Sequence, residues 1–292
     1  MQKKKVLKYT TICVALVLIT ILVFIIIKYK STIKTNLNLE NNIVTHFIDV
    51  GQGDCILIQV NHKNLLIDSG PSDSKEGVIR YLKNNNIAKL DYIIATHPHE
   101  DHIGGMASII KTFEVGEFIA PKVTSSSEEF KDMIRALINK NLNIIVAKPN
   151  ITLDLGPDTT CIILSPNKKV YKETNNYSCA IKISYKTSTY LFTGDIETIS
   201  EQEILNSDYD LKAQVLKVAH HGSNSSTSTE FLNAVRPKIA VISCGSNNTY
   251  GHPNKETIDK LKNLNCIIYR TDLDKNIILI SDGTNINKLE EN

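Results

Sequence analysis

The sequence predicts an α/β protein in which two sheets pack face to face with helices on the outside. Three observations lead there. The chain has 292 residues, 42% hydrophobic and 22% charged, which suits one sizeable core in a domain of about 250 residues with a further segment to spare. Short apolar runs of strand length give way to segments of helical period, roughly twice over along the chain. No repeat of about 20–50 residues replaces that order, which excludes a solenoid or propeller.

The spare segment comes first. Lys3, Lys4, Lys5 and Lys8 precede an uncharged, mostly apolar run over residues 9–27, which Lys28, Lys30 and Lys34 close. About twenty such residues span a bilayer. The exit reads F-I-I-I-K-Y-K, with no small-x-small cleavage site, and Cys13 lies too early to be a lipoprotein cysteine. The reading is a basic tail over 1–8, a transmembrane signal-anchor helix over 9–27 and a polar linker over 28–42. The short tail cannot hold a domain. A single-pass cell-membrane protein is therefore expected, with its N-terminus cytoplasmic and its folded domain outside.

The domain is read over 43–285. Strands are expected over 43–50 and 55–60, joined by the turn Asp49-Val50-Gly51-Gln52-Gly53-Asp54. A hairpin turn at Asn61-His62-Lys63-Asn64 leads to a strand at Leu65-Leu66-Ile67. Next come a helix over 75–85, a strand over 91–95, a helix running from the histidine cluster through 111, and a strand over 117–120. A helix over 128–139 places Phe130, Ile134, Leu137 and Ile138 on one face. Short strands are expected over 143–147, 151–155 and 160–164, then a polar surface loop over 166–177. Strands over 180–185 and 189–192 form a hairpin through Lys186-Thr187-Ser188. A helix over 197–206, a strand over 214–219, a helix over 229–235 and a strand over 238–243 follow. A loop over 247–253, a helix over 255–264 and strands over 266–269 and 277–280 complete the fold.

The formal net charge of +2 conceals an acidic body. The first 34 residues carry seven lysines and no acid; beyond them 26 basic residues face 31 acidic ones, about −5. Proteins that grip long nucleic acid by phosphate neutralisation present basic surfaces, so strong nonspecific binding of that kind is not expected. Besides Cys13, the cysteines are Cys55, Cys161, Cys179, Cys244 and Cys266, with no C-x-x-C pair. Zinc-finger and redox readings therefore fail, and buried free thiols are expected.

The chemistry concentrates in T-H-P-H-E-D-H-I-G-G, residues 96–105. His97, His99, Asp101 and His102 fall within six residues, and imidazole with carboxylate suits zinc and similar divalent ions. His97 and His99, two apart in an extended loop, can face one ion. Asp101 and His102, where the loop turns into a helix, can serve a second. Gly104 and Gly105 let backbone pack close behind. Other strand ends deliver Asp68, Asp195 and the pair His220-His221, while Asp49 and Asp68 are sited as supporting carboxylates. A dinuclear centre needs roughly five to seven ligands, with one oxygen donor bridging the ions, and this inventory suffices.

With these residues assembled, the chain resembles the metallo-β-lactamase-fold hydrolases over roughly residues 43–285. More narrowly it resembles the lactamase-like domain of ComEC-type DNA-uptake competence channel proteins. The narrower match rests on F-I-D-V-G-Q-G-D (47–54), L-I-D-S-G (66–70), the histidine cluster, N-N-Y-S (175–178), L-F-T-G-D (191–195), L-K-V-A-H-H-G-S (216–223) and Y-G-H-P (250–253). The channel's many membrane spans are absent, with one anchor in their place. The resemblance implies a four-layer αββα sandwich with the site at one end of the two sheets. It implies two divalent ions, both zinc or alternatively manganese: His97 and His99 on one, Asp101 and His102 on the other, Asp195 bridging. His220 or His221 completes the second site. Alternation along the strand does not choose between them, but the family's ligand commonly precedes a glycine, which favours His221. Asp49 and Asp68 would orient the metal-binding loop.

One departure matters. Many relatives carry a third histidine for the first ion, yet no histidine occurs here over 103–192. Asn175, Asn176 and Ser178 occupy the matching region, leaving the first ion open to water or substrate. With Ser223 they form the expected substrate-facing set. A bound water with its pKa lowered towards ~7 supplies a hydroxide nucleophile, and two ions about 3.5–4 Å apart hold a phosphodiester. Asp101, His220 and His252 are the catalytic candidates. His252, or whichever of His220 and His221 does not ligate, is placed to bind a phosphoryl oxygen or protonate the leaving group.

The leading expectation is a membrane-anchored phosphodiesterase or nuclease acting on DNA. A second is an esterase for a cell-envelope polymer, of choline-phosphate or teichoic-acid type. A third is a weakly catalytic, metal-binding accessory subunit of a membrane DNA-uptake assembly, with a separate channel protein as partner.

Overall fold

Side chains alternate across each strand, so a strand buried on both faces feeds two apolar layers. Strand β2 (Ile56–Val60) does this: Ile56, Ile58 and Val60 join one buried cluster and Leu57 another. The computed structural model describes residues 41–289, with Val17, Ile19, Thr20 and Ile21. It divides into two compact units, Met1–Asn38 and Leu39–Asn292; the fold belongs to the second. Apart from those four helical residues and the last two of the linker, Asn41 and Asn42, the expected tail, anchor and linker lie outside the described residues. Among the described residues no helix is long and apolar enough to cross a membrane.

The first sheet has eight strands in the order β14-β13-β1-β2-β3-β4-β5-β6. They are β1 (Ile43–Phe47), β2, β3 (Lys63–Ile67), β4 (Lys89–Ile94), β5 (Glu114–Ala120), β6 (Ile144–Val146), β13 (Ile277–Ser281) and β14 (Ile286–Leu289). The second sheet runs β12-β11-β10-β9-β8-β7. Its members are β7 (Thr159–Ile163), β8 (Ile181–Tyr185), β9 (Ser188–Phe192), β10 (Val215–Lys217), β11 (Ile239–Ile242) and β12 (Ile267–Arg270). Each sheet begins with antiparallel hairpins and then turns parallel, β3 to β6 in one and β9 to β12 in the other.

Parallel neighbours need crossovers, and helices supply them. Lys75–Asn84, Met106–Thr112 and Glu128–Asn139 cover the outer face of the first sheet. Thr198–Leu205, Thr229–Val235 and Lys255–Asn263 cover the second. Three apolar layers result: one between the sheets, around Phe47, Ile58, Ile183, Tyr190 and Phe192, and one beneath each set of helices. Four layers of secondary structure enclose three apolar ones. That is the αββα sandwich.

Several expectations need correction. Residues 151–155 form no strand; Thr152 makes an isolated bridge to Ile162. Three elements went unforeseen: β14, which carries the fold past 285, and helical turns at Thr174–Tyr177, inside the expected loop, and at Thr271–Asp274. The helix expected through 111 breaks at Gly104 and Gly105 into Glu100–Ile103 and Met106–Thr112. Ile138 is 66% exposed, and Met133, Ala136 and Leu137 fill the inward face of its helix instead. The strand expected to reach 219 ends at Lys217, because His220 and His221 take left-handed φ of 49° and 53°. The five domain cysteines are free, all buried but Cys266, which is half-buried.

Candidate metal centre

The carboxyl ends of parallel strands from both sheets meet at one end of the sandwich, and the polar motifs lie there. Asp68 follows β3, residues 95–99 follow β4, Asp195 follows β9, and His220 and His221 follow β10. Asp68 joins the first two. Its carboxylate accepts hydrogen bonds from Thr96 N at 2.8 Å, Thr96 Oγ1 at 2.7 Å and His102 Nδ1 at 2.8 Å. The chain bends at His97 and Pro98, is extended at His99 and then turns into the helix Glu100–Ile103, which delivers Asp101 and His102. Gly104 permits this, since a Cβ there would lie 2.3 Å from Ser72 N.

Hydrogen-bond logic fixes the histidine tautomers. A carboxylate only accepts, so His102 holds its proton on Nδ1, facing Asp68. His221 Nδ1 faces the carbonyl of Ser243 at 2.9 Å and is likewise a donor. His97 Nδ1 lies 3.1 Å from Thr96 Oγ1, whose own proton goes to Asp68, and 3.2 Å from Ser178 Oγ. All three rings thus turn the Nε2 lone pair away from their anchors. Outer partners of this kind orient metal-binding histidines.

Those lone pairs converge. One ligand atom from each of Asp101, His102, Asp195 and His221 falls within 4.8 Å of the others. Asp195 Oδ2 is 3.2 Å from His102 Nε2 and 3.3 Å from His221 Nε2; Asp101 Oδ2 is 3.7 Å and 3.2 Å from the same atoms. His97 Nε2 and His99 Nδ1 form a second pair 3.0 Å apart. Two nitrogens on one tetrahedral zinc, each about 2.0–2.1 Å from it, stand ~3.3 Å apart. Of the adjacent histidines, His221 joins the cluster, while His220 Nε2 is 4.0 Å from Asp195 Oδ2 and its ring is partly exposed. The left-handed turn at both residues sends their rings different ways.

The donor set fits divalent cations. Among the described residues His102 Nε2 and Asp195 Oδ1 are buried without a hydrogen-bond partner, which is costly unless something binds there. Four carboxylates, of Asp54, Asp68, Asp101 and Asp195, gather in two clusters that share His102, and the buried Lys217 pairs with only two of them, Asp54 and Asp195. Buried charge of one sign requires compensation. Protons on the inward Nε2 atoms, which a bound cation would displace, supply part of it: burial opposes charge on His102, yet Asp195, Asp101 and Asp68 lift its pKa well above the ordinary value. Burial likewise opposes His221, and Asp195 and Asp101 raise it to about 9. Burial and the nearby His102 push His97 and His99 down, leaving both neutral.

Asp54 and Lys217 are missing from the sequence-predicted set. Both lie in motifs, but Asp49 drew attention in place of Asp54 because it closes a strand. The structure corrects this. Asp49 accepts from Gly51 N at 3.2 Å and pairs with Lys275 at 3.6 Å, whereas Asp54 lies 3.6 Å from His221 Nδ1 and 2.5 Å from Lys217 Nζ. Gly53 brings Asp54 in, because a Cβ there would lie 2.2 Å from the carbonyl oxygen of Asp101. A buried lysine inside L-K-V-A was the available signal.

The expected substrate-facing set also changes. Ser178 is fully buried and bridges His97 Nδ1 and Asp195 N, at 3.2 and 3.1 Å. Asn176 is buried, donating to Glu197 Oε2 at 3.0 Å and accepting from Glu197 N at 3.2 Å. Ser223 Oγ accepts from Ser225 N within its own turn. Asn175 alone borders the site, its Nδ2 3.4 Å from His220 Nε2 and 3.3 Å from Glu197 Oε1. His252 stands beside His220, ring centroids 5.4 Å apart. Burial, with His220 and His221 nearby, lowers the His252 pKa to about 4.

Comparison with known proteins agrees with this geometry. The family model described as "Metallo-beta-lactamase superfamily" matches residues 48–246. ComE operon protein 3 of Bacillus subtilis is 32% identical over 243 residues, covering 77% of this chain and 31% of the relative. Competence protein ComA of Neisseria gonorrhoeae is 29% identical over 236 residues, covering 80% of this chain and 32% of the relative. The chain thus spans about a third of each of these relatives. Among solved structures, the metallo-beta-lactamase fold protein YhfI from Bacillus subtilis superimposes with a TM-score of 0.55 at 14% identity, covering 82% of this chain and 99% of that one.

Proposed function

Because this chain belongs to the metallo-β-lactamase superfamily, we propose that its metal-dependent hydrolase site cleaves phosphodiesters, with single-stranded DNA as substrate. One observation carries the reading: His97, His102 and His221 each have Nδ1 anchored from behind, which turns Nε2 of His102 and His221 onto Asp101 and Asp195 and Nε2 of His97 onto His99. In this proposal His97 and His99 would hold one divalent ion, Asp101, His102 and His221 a second, with Asp195 placed to serve both. Ions there would supply Lewis-acid stabilisation of a phosphoryl oxygen and a water acidified towards ~7.

The protein's own groups provide the rest. Asp68 and Ser243 hold the imidazoles, and Ser178 ties His97 to the backbone of Asp195. His220 and His252, outside the ligand cluster, are positioned to contact the phosphodiester and the departing oxygen. The competence-named relatives favour DNA over an envelope polymer. Anchorage by residues 9–27, with the domain outside the cell membrane, belongs to the same proposal, as does a channel-protein partner.

The test is hydrolysis by the full chain, with manganese or zinc, of a single-stranded oligonucleotide and of bis-p-nitrophenyl phosphate. Metal-dependent cleavage of both is expected. Cleavage of the small diester alone would favour the envelope polymer. Metal binding with no diester turnover would remove the enzyme reading and leave the accessory subunit.

A further inference from the structure

Beside the metal cluster, next to His252, lies an exposed aromatic ring that the proposed chemistry does not use, Tyr250. The His252 ring centroid is 5.4 Å from that of His220 and 6.4 Å from that of His221. Tyr250 stacks on His252, centroids 5.7 Å apart and planes 20° from parallel. Yet Tyr250 is 70% exposed and belongs to none of the three apolar layers. An exposed ring stacked on a catalytic candidate two positions along the chain is not core packing.

Nor is it a loose loop tip. Asn248 Nδ2 donates to Gly245 O at 2.9 Å and to His252 O, and its Oδ1 accepts from His252 N at 3.0 Å. Gly245 N donates in turn to Gln52 Oε1 at 3.1 Å, which ties the loop to the turn beside Asp54. The backbone on both sides of Tyr250 is therefore braced against the site. His252 Nδ1 is buried without a hydrogen-bond partner among the described residues.

We propose that Tyr250 and His252 form a stacking platform for a nucleobase of a single-stranded nucleic acid whose neighbouring phosphodiester lies at the metal cluster. This rests on the nuclease reading above and deepens it to a substrate form. The acidic body, about −5 beyond residue 34, cannot hold a strand by phosphate neutralisation over a long track. Stacking supplies sequence-tolerant affinity without that charge. A duplex hides the faces of its bases, so the platform selects unpaired ones. An envelope polymer of sugar or polyol phosphates has no π face to offer.

The experiment uses the full chain with manganese and two strands of equal length, a single-stranded oligodeoxynucleotide and one built of abasic sites. The KM of the base-bearing strand should be at least about tenfold lower. Tyr250→Ala should raise that KM about tenfold or more while leaving kcat and the abasic strand unchanged, and Tyr250→Phe should restore it. A strand carrying 2-aminopurine should be quenched on binding by the native protein and by Tyr250→Phe, but not by Tyr250→Ala. Equal KM values for the two strands, or a Tyr250→Ala loss falling on kcat and on both strands alike, would overturn the platform alone. If bis-p-nitrophenyl phosphate is hydrolysed while neither strand is bound or cut, the nuclease reading fails and the platform with it.

Discussion

Lys217 Nζ lies 2.5 Å from Asp54 Oδ2 and 3.9 Å from Asp195 Oδ1, with all three side chains withdrawn from solvent. Burial opposes the lysine's charge, but Asp54 and Asp195 outweigh it and raise its pKa. The pair places one fixed cation beneath the proposed bridging carboxylate. Removing one partner of a buried pair strands the other charge and costs about 3–5 kcal/mol, whereas removing both costs far less. Lys217→Met should therefore lower stability by about that amount, and Lys217→Met with Asp54→Leu should recover part of it. Urea denaturation of both single variants and the double checks this; additive losses would show no direct coupling.

Asp68 is the second relationship to test, since it fixes His102 and Thr96 together. Asn accepts the same positive φ, here 59°, but its amide cannot receive all three donors. Asp68→Asn should weaken metal binding about 10–100-fold, the usual consequence of losing an outer partner of a ligand. Competition with a chromophoric chelator measures it, and unchanged affinity would show that Asp68 does not orient His102.

Asp101 is the partly exposed member of the ligand cluster, its side chain 29% accessible. Its backbone carbonyl, which accepts from Asp54 N at 3.1 Å, survives substitution. Asp101→Ala should retain the fold by circular dichroism while losing more activity than the ~10–100-fold of an outer-partner loss. Retained turnover would mean that the metal assignment is wrong.

His46 predicts a pH dependence independent of the metal centre. It is fully buried, with Nδ1 2.9 Å from Tyr81 OH and Nε2 3.1 Å from Gln59 Oε1. Burial lowers its pKa to about 4, the Gln59 hydrogen bond offsetting only part. In the unfolded chain histidine titrates near ~6.5. Between these values the unfolded chain binds the proton and the folded chain does not, so stability falls as pH drops through that window and levels off below it. The full contribution is roughly 3 kcal/mol. Between about pH 7.5 and pH 5 the native protein should lose ~2 kcal/mol more than His46→Gln does. Urea titrations at both pH values decide it, and equal losses would remove His46 as the cause.

How much of this was legible before folding differs from residue to residue. The cluster from His97 to His102 is local: six residues spanning one strand-to-helix turn carry their own geometry, so spacing alone announced a metal site. The alternation of apolar residues likewise announced the layers, because a strand's two faces and a helix's stripe are short-range properties. The helix Thr229–Val235 matched to the residue for the same reason, its Ser228 cap accepting from Phe231 N.

Other assignments needed the tertiary structure. Nothing local separates Asp49 from Asp54 or Ser178 from Asn175; only the approach of chain segments distant in sequence shows which side chains turn inward. Ile138 matched the helical stripe yet faces solvent, because the neighbouring elements decide which part of the face is covered. The sequence by itself determined the chemical class of the site and the kind of fold that carries it. The tertiary structure brings His221, which the family pattern favours, into the cluster with Asp101 and Asp195 and leaves His220 outside it. Both take left-handed backbone, so strand alternation no longer governs their rings, and the carbonyl of Ser243 on β11's exit holds one of them against Asp101 and Asp195.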